Sequence, residues 1–160
     1  MTTEIRIWIH AVHHPAFRCG GWAYVRSGPG GGSGLAGGDR NTTAQRTELA
    51  GLGAALTGLP PAASLILHTD SASLAAQTRL LANPPPDRSP NAPEKDLDLW
   101  APLIAAAKGR AIRLVREEAL PHSPAAFAVA WAELARDKAK SGGAFRSAIP
   151  KVNLAKLDFA

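Results

Sequence analysis

Two carboxylates stand where a protein could hold a hard cation. Glu48 lies in a segment whose leucine spacing predicts a helix, and Asp70 directly follows the apolar segment 64–69, which predicts a buried strand. Open α/β sheets bind ligands at the carboxyl ends of such strands, and carboxylate oxygens suit Mg²⁺ or Mn²⁺. Each residue also has a structural interpretation. Glu48 could be a solvated helix residue, and Asp70 could cap the next helix.

Three histidines offer a second type of ligand. His10, His13 and His14 follow the predicted strand 4–9 in a stretch that reads as a turn-rich loop. Imidazole nitrogen suits softer ions such as Zn²⁺ better than Mg²⁺, so a transition-metal cluster with Asp70 is one hypothesis. The pattern is unspecific, and a role without metal is the simpler interpretation.

The elements that must position these residues alternate between strands and helices. Residues 4–9 alternate isoleucine with other residues, which is typical of a strand, and strands are also predicted at 21–26 and around Leu35. Thr42 or Thr43 can cap the helix that contains Glu48. Further along the chain we predict, in order, a strand at 64–70, helices at 71–83 and 96–109, a strand at 110–117 and a helix at 123–143. This order predicts an α/β mixed sheet with helices packed on it.

Composition limits the class of protein. The 160 residues fit one domain, 46% of them are hydrophobic, and the single cysteine, Cys19, excludes an internal disulfide. No apolar run reaches the ~20 residues of a membrane span, and the first residues lack a signal-peptide pattern, so we expect a cytoplasmic protein.

Charge is distributed unevenly along the chain. The net charge is +5, and residues 108–160 contribute ten basic and five acidic residues while the rest is neutral. Such a field attracts polyanions, nucleic acid first. The alternative is an ordinary solvated face on a slightly basic protein.

Five short motifs occur in the order found in one protein family. They are Gly20-Gly21-Trp22, Thr43-Ala44-Gln45-Arg46-Thr47-Glu48-Leu49, Thr69-Asp70-Ser71, Asp98-Leu99-Trp100 and Ala132-Glu133-Leu134-Ala135. Over about residues 4–140 the chain resembles the type 1 ribonuclease H family. The resemblance implies a ribonuclease H-like α/β fold with a mixed five-stranded sheet, antiparallel in its first three strands and flanked by helices. We expect this domain at 1–140, followed by a tail at 141–160 that either docks or stays free.

The resemblance also implies an activity and a set of site residues. The family cuts the RNA strand of RNA–DNA hybrids with four carboxylates that hold two divalent metals. Glu48 and Asp70 match two of the four, whereas His10 and Ala132 stand in place of the others. His122 falls where the family has a mobile histidine linked to product release.

Matches at the substrate-contacting positions are incomplete. Thr43, Gln45 and Arg46 fit the family's nucleic-acid contacts, although Arg46 could equally be a surface helix residue, and Ala44 replaces an asparagine. The basic, Trp-bearing protrusion of many members is replaced by the Pro-rich stretch 84–95. We therefore expect a weaker grip on the duplex.

These departures predict a degenerate active site. Two carboxylates neutralise a metal pair poorly, so we expect at most one weakly bound Mg²⁺ or Mn²⁺ at Glu48, Asp70 and His10, and otherwise no cofactor. Glu133 is adjacent to Ala132 but points ~100° away on a helix, so we do not expect it to restore the site.

Three functions follow from this pattern. The first is a nucleic-acid-binding or scaffolding module without normal hydrolysis, acting inside a nucleoprotein complex. The alternative is a metal-dependent endonuclease that cleaves the RNA strand of hybrids with an altered site of His10, Glu48, Asp70 and His122. The third is a protein-interaction subunit without affinity for nucleic acid.

Overall fold

A six-stranded mixed sheet organises the chain. The computed structural model describes residues 4–27, 32–60, 62–85, 92–157 and 159. The elements are β1 (Glu4–His14), β2 (Cys19–Arg26), β3 (Ser33–Asp39), α1 (Ala44–Ala55), β4 (Ser64–Thr69), α2 (Ala72–Ala82), α3 (Leu97–Ala107), β5 (Ile112–Arg116), α4 (Pro124–Gly142), β6 (Phe145–Ala148) and α5 (Lys151–Leu154). The strand order across the sheet is β5-β4-β1-β2-β3-β6.

Strand directions confirm the predicted mixed sheet, but the predicted number of strands was wrong. β1, β2 and β3 are antiparallel neighbours, whereas β4 pairs in parallel with both β1 and β5. The additional strand is β6, which pairs antiparallel with β3. Its four residues, Phe-Arg-Ser-Ala, are mostly exposed. They carry no hydrophobic alternation from which a strand could be predicted.

The first strand is longer than its isoleucine pattern indicates. β1 continues through His14 because its second half pairs with β2, from His10 opposite Ala23 to His14 opposite Cys19. The three histidines therefore lie on a strand and not in a loop. His13 Nε2 lies 2.9 Å from the Thr42 carbonyl oxygen, which connects this hairpin to the loop before α1.

The two faces of the sheet are covered by different helices. Alternate residues of β1 illustrate this: Ile7 packs in the cluster formed with α1, α2 and α3, and Trp8 packs in the cluster formed with α4. α4 approaches the sheet closely because Gly21 has no side chain. A Cβ at Gly21 would collide with the α4 backbone at Ala132 and Arg136.

Side-chain caps fix the starts of three helices. Thr43, Ser71 and Ser123 each accept a hydrogen bond from a backbone N–H three residues later, at 3.1 to 3.3 Å. Of the two predicted cap residues, Thr42 and Thr43, the structure has Thr43 as the cap. The predicted place of Pro124 in the first turn of α4 is confirmed. Such caps satisfy N–H groups that the helix itself leaves unpaired.

The described C-terminal residues dock on the sheet. β6 extends the sheet, and Ile149 and Leu154 are buried against the α4 side. The Phe159 ring lies 5.5 Å from the Trp8 ring, and the Phe159 carbonyl oxygen accepts a 2.9 Å hydrogen bond from Arg6 Nη1. The boundary predicted after residue 140 falls two residues before the end of α4.

A partly buried polar cluster lies beside this docked segment. His68 stacks on Trp8 at 4.6 Å, and its Nδ1 lies 2.9 Å from Glu117 Oε1. The same carboxylate oxygen accepts a 2.8 Å hydrogen bond from Trp8 Nε1, while Arg6 Nε donates to His68 Nε2 at 3.2 Å. Because Nε2 accepts, Nδ1 carries the proton of the neutral ring.

Parts of two predicted loops lie outside the described residues. These are 28–31 in the glycine-dense turn and 86–91 in the Pro-rich stretch. Among the helices that are described, none combines the length and the apolar character that crossing a membrane requires.

Candidate functional site

His10 and Asp70 meet where two parallel strands run side by side. β1 and β4 pair with Trp8 opposite His68, so the residues two positions further along also become neighbours. His10 Nδ1 lies 3.4 Å from Asp70 Oδ1, and the side chains are 17% and 38% exposed. The structure assigns the cap of α2 to Ser71. The Asp70 carboxylate is therefore not used as a cap and faces His10.

The surroundings of His10 favour a neutral imidazole. Burial lowers the pKa of His10, and the negative charges of Asp70, Glu133 and Glu48 only partly offset this effect. The uncharged form of the ring is therefore favoured at neutral pH. A neutral imidazole offers one nitrogen lone pair and adds no negative charge where the resemblance leads one to expect a carboxylate.

Glu48 is buried, and both of its carboxylate oxygens already have partners. Gln77 Nε2 donates to Oε1 at 3.2 Å, and the Ser73 hydroxyl donates to Oε2. Both donors lie on α2, so the carboxylate connects α1 to α2. Glu48 is therefore not the solvated helix residue of the structural interpretation; it is an internal hydrogen-bond acceptor.

Ser73 and Gln77 are hydrogen-bond partners of Glu48 that sequence reasoning missed. Their spacing of four residues places them on one face of a helix, and Gln77 is buried there. A polar pair at this spacing on an otherwise apolar helix face was the available signal. Nothing in the sequence, however, indicates that this face of α2 points toward Glu48.

At the fourth position, where the resemblance implies a carboxylate, the chain has a packed alanine. Ala132 is fully buried in the cluster between α4 and the sheet. Glu133 is exposed, but its charge is among those that raise the pKa of His10. That Glu133 does not restore the site stays a prediction, although its charge reaches His10.

His122 lies in the loop between β5 and α4. It is exposed, has a φ of 66°, and precedes the cap residue Ser123. Among the described residues, no hydrogen bond or ion pair joins it to His10, Glu48 or Asp70.

One comparison with solved structures bears on this arrangement. The chain is similar to the crystal structure of LC9-RNase H1, described as a type 1 RNase H with the type 2 active-site motif. The TM-score is 0.58 at 19% sequence identity, over 92% of this chain and 79% of that one. The chain has a ribonuclease H-like fold. No protein-family profile matches the sequence, and neither does any curated protein.

The four matched positions of this ribonuclease H-like fold supply fewer carboxylates than the two-metal centre that the resemblance implies. Within the described ranges, no three histidine, cysteine, aspartate or glutamate side chains are grouped so that they could hold a metal ion. Both oxygens of Glu48 are engaged by α2, and Ala132 has no ligand atom. His10 and Asp70 remain as a pair.

The predicted substrate contacts make hydrogen bonds within the protein. Arg46 bonds the Asp98 carboxylate at 2.8 and 3.0 Å and the Asp96 carboxylate at 2.9 Å. Gln45 Nε2 donates to Asp96 at 3.1 Å, and the Thr43 hydroxyl caps α1. Hydrogen bonds to Arg46 hold the pKa of Asp98 below its usual value. Two carboxylates thus compensate the single guanidinium.

An arginine that was not among the predicted site residues lies next to the site. Arg116 Nη2 donates a 2.9 Å hydrogen bond to the backbone carbonyl oxygen of Asp70. Arg116 is the last residue of β5, the strand adjacent to β4, and it is exposed. Because β4 and β5 are parallel, their carboxyl ends share one edge of the sheet. This edge carries the guanidinium beside the His10–Asp70 pair.

Proposed function

We propose that this chain is a nucleic-acid-binding or scaffolding module that does not carry out two-metal hydrolysis, and that it acts within a nucleoprotein complex. The observation that carries the proposal is the state of Glu48. Its two oxygens accept hydrogen bonds from Ser73 and Gln77 and so serve the contact between α1 and α2. Each oxygen thus uses one acceptor position for α2, which holds the carboxylate against that helix and leaves it less available to a metal.

Charge supports the same conclusion. Two dications about 4 Å apart need several negative charges around them. The four matched positions supply one engaged carboxylate (Glu48), one partly exposed carboxylate (Asp70), one neutral imidazole (His10) and one methyl group (Ala132).

Affinity for nucleic acid is supported by the position of positive charge. Arg116 is exposed beside Asp70, and the net charge of +5 arises in the C-terminal third. Phosphate contacts of Lys and Arg release counterions, which makes binding depend on salt. RNA–DNA hybrid is the first ligand class to test, because of the ribonuclease H-like fold.

The decisive experiment combines cleavage and binding. A labelled RNA–DNA hybrid is incubated with wild-type protein and with Asp70→Asn in Mg²⁺, Mn²⁺ and Zn²⁺. Binding of hybrid, duplex and single strands is followed by fluorescence anisotropy between about 50 and 200 mM salt. We expect salt-dependent binding without cleavage. Metal-dependent cleavage that disappears in Asp70→Asn would show that the module is an enzyme.

Arg116 provides a matched test of the binding surface. Arg116→Ala should weaken hybrid binding and reduce the slope of log K against log salt by about 0.9, the loss of one phosphate contact. Lys151→Ala, which removes an exposed cation from α5, is the control and should leave the slope unchanged. Equal effects of both variants would argue against a local contact at Arg116.

A second candidate function is an altered metal-dependent endonuclease. It is favoured by the partly exposed Asp70 carboxylate beside His10 and by the nearby charge of Glu133. The variant His10→Asp with Ala132→Asp then becomes informative, because it restores the carboxylate count. If the double variant cleaves the hybrid and the wild type does not, the wild-type site lacks only its metal ligands. The third possibility, a protein-interaction subunit, predicts weak binding that is insensitive to salt.

A further inference from the structure

Among the described residues, the outer edge of the sheet at β6 has backbone groups without partners. β6 is the last strand in the sheet order and pairs only with β3. The Ile149 N–H donates to the Gly34 carbonyl oxygen at 3.0 Å. Because successive residues of an antiparallel strand direct their backbone groups to opposite sides, Phe145 and Ser147 face β3. The groups of Arg146 and Ala148 face outward, and both residues are exposed.

These outward groups find no partner in the part of the chain that the structure describes. No hydrogen bond joins the backbone of Arg146 or Ala148 to another described element beyond the β3 pairing. Unpaired N–H and C=O groups on a strand edge can pair with another strand, and the four-residue β6 offers room for only a short added segment. Addition of an extended peptide to such an edge is a known mode of peptide recognition.

A small apolar groove lies beside this edge, on the face that α4 covers. Its volume is about 80 Å³. It is lined by Ala36, Trp131, Leu134, Ala135, Lys138, Phe145 and Ser147. Leu134 is 59% exposed at the rim of this groove. A strand added to β6 would direct every second side chain over this groove.

Cations flank the edge on both faces. Lys138 Nζ lies 4.6 Å from the centre of the Phe145 ring, and on the opposite face the Arg146 guanidinium lies 5.5 Å from the Trp22 ring. Asp137, the acidic neighbour of Lys138 along α4, contacts Arg136 at 3.2 Å. The charge beside the edge is therefore positive, and it complements an acidic partner.

We propose that the outer edge of β6 binds an extended acidic segment of another protein as a seventh strand. The segment places an apolar side chain in the groove between Trp131, Leu134 and Phe145, and carboxylates near Lys138 and Arg146. β6 lies at the opposite edge of the sheet from β5 and β4, so this surface is separate from the His10–Asp70 site. The inference goes beyond the proposed nucleic-acid binding, although Lys138 and Arg146 belong to the same basic C-terminal third.

Two other occupants fit less well. A second copy of the chain paired through β6 would bring two sets of Lys138 and Arg146 together, and like charges repel. A polynucleotide backbone presents phosphate oxygens, which are acceptors, so it would leave the outward carbonyl groups of Arg146 and Ala148 facing negative charge. A peptide strand offers alternating donors and acceptors that match both.

The test uses defined peptides and the full chain. Labelled peptides of about eight residues alternate Asp or Glu with Leu, Ile or Val. Matched peptides carry Lys in place of the acids, the same composition in a clustered order, or a central proline. We expect binding of the alternating acidic peptides, with at least about tenfold weaker binding of each matched set. Hydrogen exchange should slow over residues 145–148 when an acidic peptide binds.

Three protein variants locate the contact. Leu134→Glu places a negative charge at the groove, and Ala148→Pro removes an outward N–H without removing a bond to β3. Each should weaken peptide binding about tenfold or more. Leu120→Glu is the control, since Leu120 is also 59% exposed but lies in the loop before α4. Circular dichroism verifies that each variant folds.

Several results would overturn the proposal. These are the absence of binding by every alternating acidic peptide, equal binding of the lysine or clustered peptides, and binding that survives both Leu134→Glu and Ala148→Pro. Self-association that Leu134→Glu abolishes would identify a second copy as the occupant instead. Loss of hybrid binding in Leu134→Glu, with peptide binding unchanged, would assign the surface to nucleic acid.

Discussion

Replacing Glu48 by methionine tests whether this carboxylate serves the fold. The side chains are similar in size, but methionine cannot accept the hydrogen bonds from Ser73 and Gln77. Gln77 is 7% exposed and its Oε1 already lacks a partner, so Glu48→Met leaves the whole amide unpaired. Leaving a buried polar group unpaired costs about 1–3 kcal/mol. At about 2–4 °C per kcal/mol for a chain of this size, Tm should fall by about 2–12 °C.

Two further variants make the interpretation specific. In Glu48→Met with Gln77→Leu both partners are apolar, a replacement that can be nearly neutral, so the double variant should recover most of the lost stability. Glu48→Gln should change stability little. The new amide can pair with Gln77 once one of the two amides is flipped, and the Ser73 hydroxyl can donate or accept.

Urea unfolding followed by circular dichroism measures these differences as a double-mutant cycle. We expect a coupling free energy between Glu48 and Gln77 of about 1 kcal/mol or more. An acid held in a metal site is repelled by its acidic neighbours, and its removal would stabilise the protein. A Glu48→Met variant as stable as wild type, or more stable, would therefore refute a structural role for Glu48.

The remaining predictions concern pH, packing and charge. Burial and the nearby Arg6 lower the pKa of His68 below 6.5 despite the Glu117 carboxylate. The unfolded chain then binds more protons, so stability should fall as the pH drops from about 7 to 5.5, and His68→Phe should reduce this slope; an unchanged slope would contradict the pKa direction. Gly21→Val should destabilise by about 1–3 kcal/mol in chemical unfolding, because its side chain meets the α4 backbone. Its control, Gly53→Ala, has open space and should stabilise the helix by about 0.5–1 kcal/mol; equal effects would contradict the close approach of α4. Asp98→Asn should release part of the Arg46 charge and strengthen hybrid binding in anisotropy titrations, and unchanged affinity would place Arg46 outside the contact surface.

Local chemistry explains which parts of the fold were predictable. The start of α1 at Thr43 and the first turn of α4 at Pro124 depend on residues next to one another in the chain. The motif around Thr69-Asp70-Ser71 likewise placed Asp70 at the carboxyl end of β4. Capping and strand-end positions are determined by neighbouring residues, so the sequence contains them directly.

The second half of β1 and the whole of β6 were not predicted as strands, and both depend on partners far along the chain. β1 extends through His14 because β2 pairs with it, and β6 forms because β3 presents an open edge. Neither segment has a hydrophobic period of its own that marks it as a strand. Strand formation there follows from hydrogen bonds between distant segments, a property that local propensity does not report.

The sequence alone determined the kinds of atoms available at the site: two carboxylates and a histidine where the family resemblance implies three acids, and an alanine for the fourth. Only the tertiary structure decided what those atoms do. Glu48 accepts bonds from α2, Asp70 faces a neutral His10, and Arg46 is paired with Asp96 and Asp98. Residue type limits the possible chemistry, but hydrogen bonds formed across the fold determine which groups remain free to react or bind.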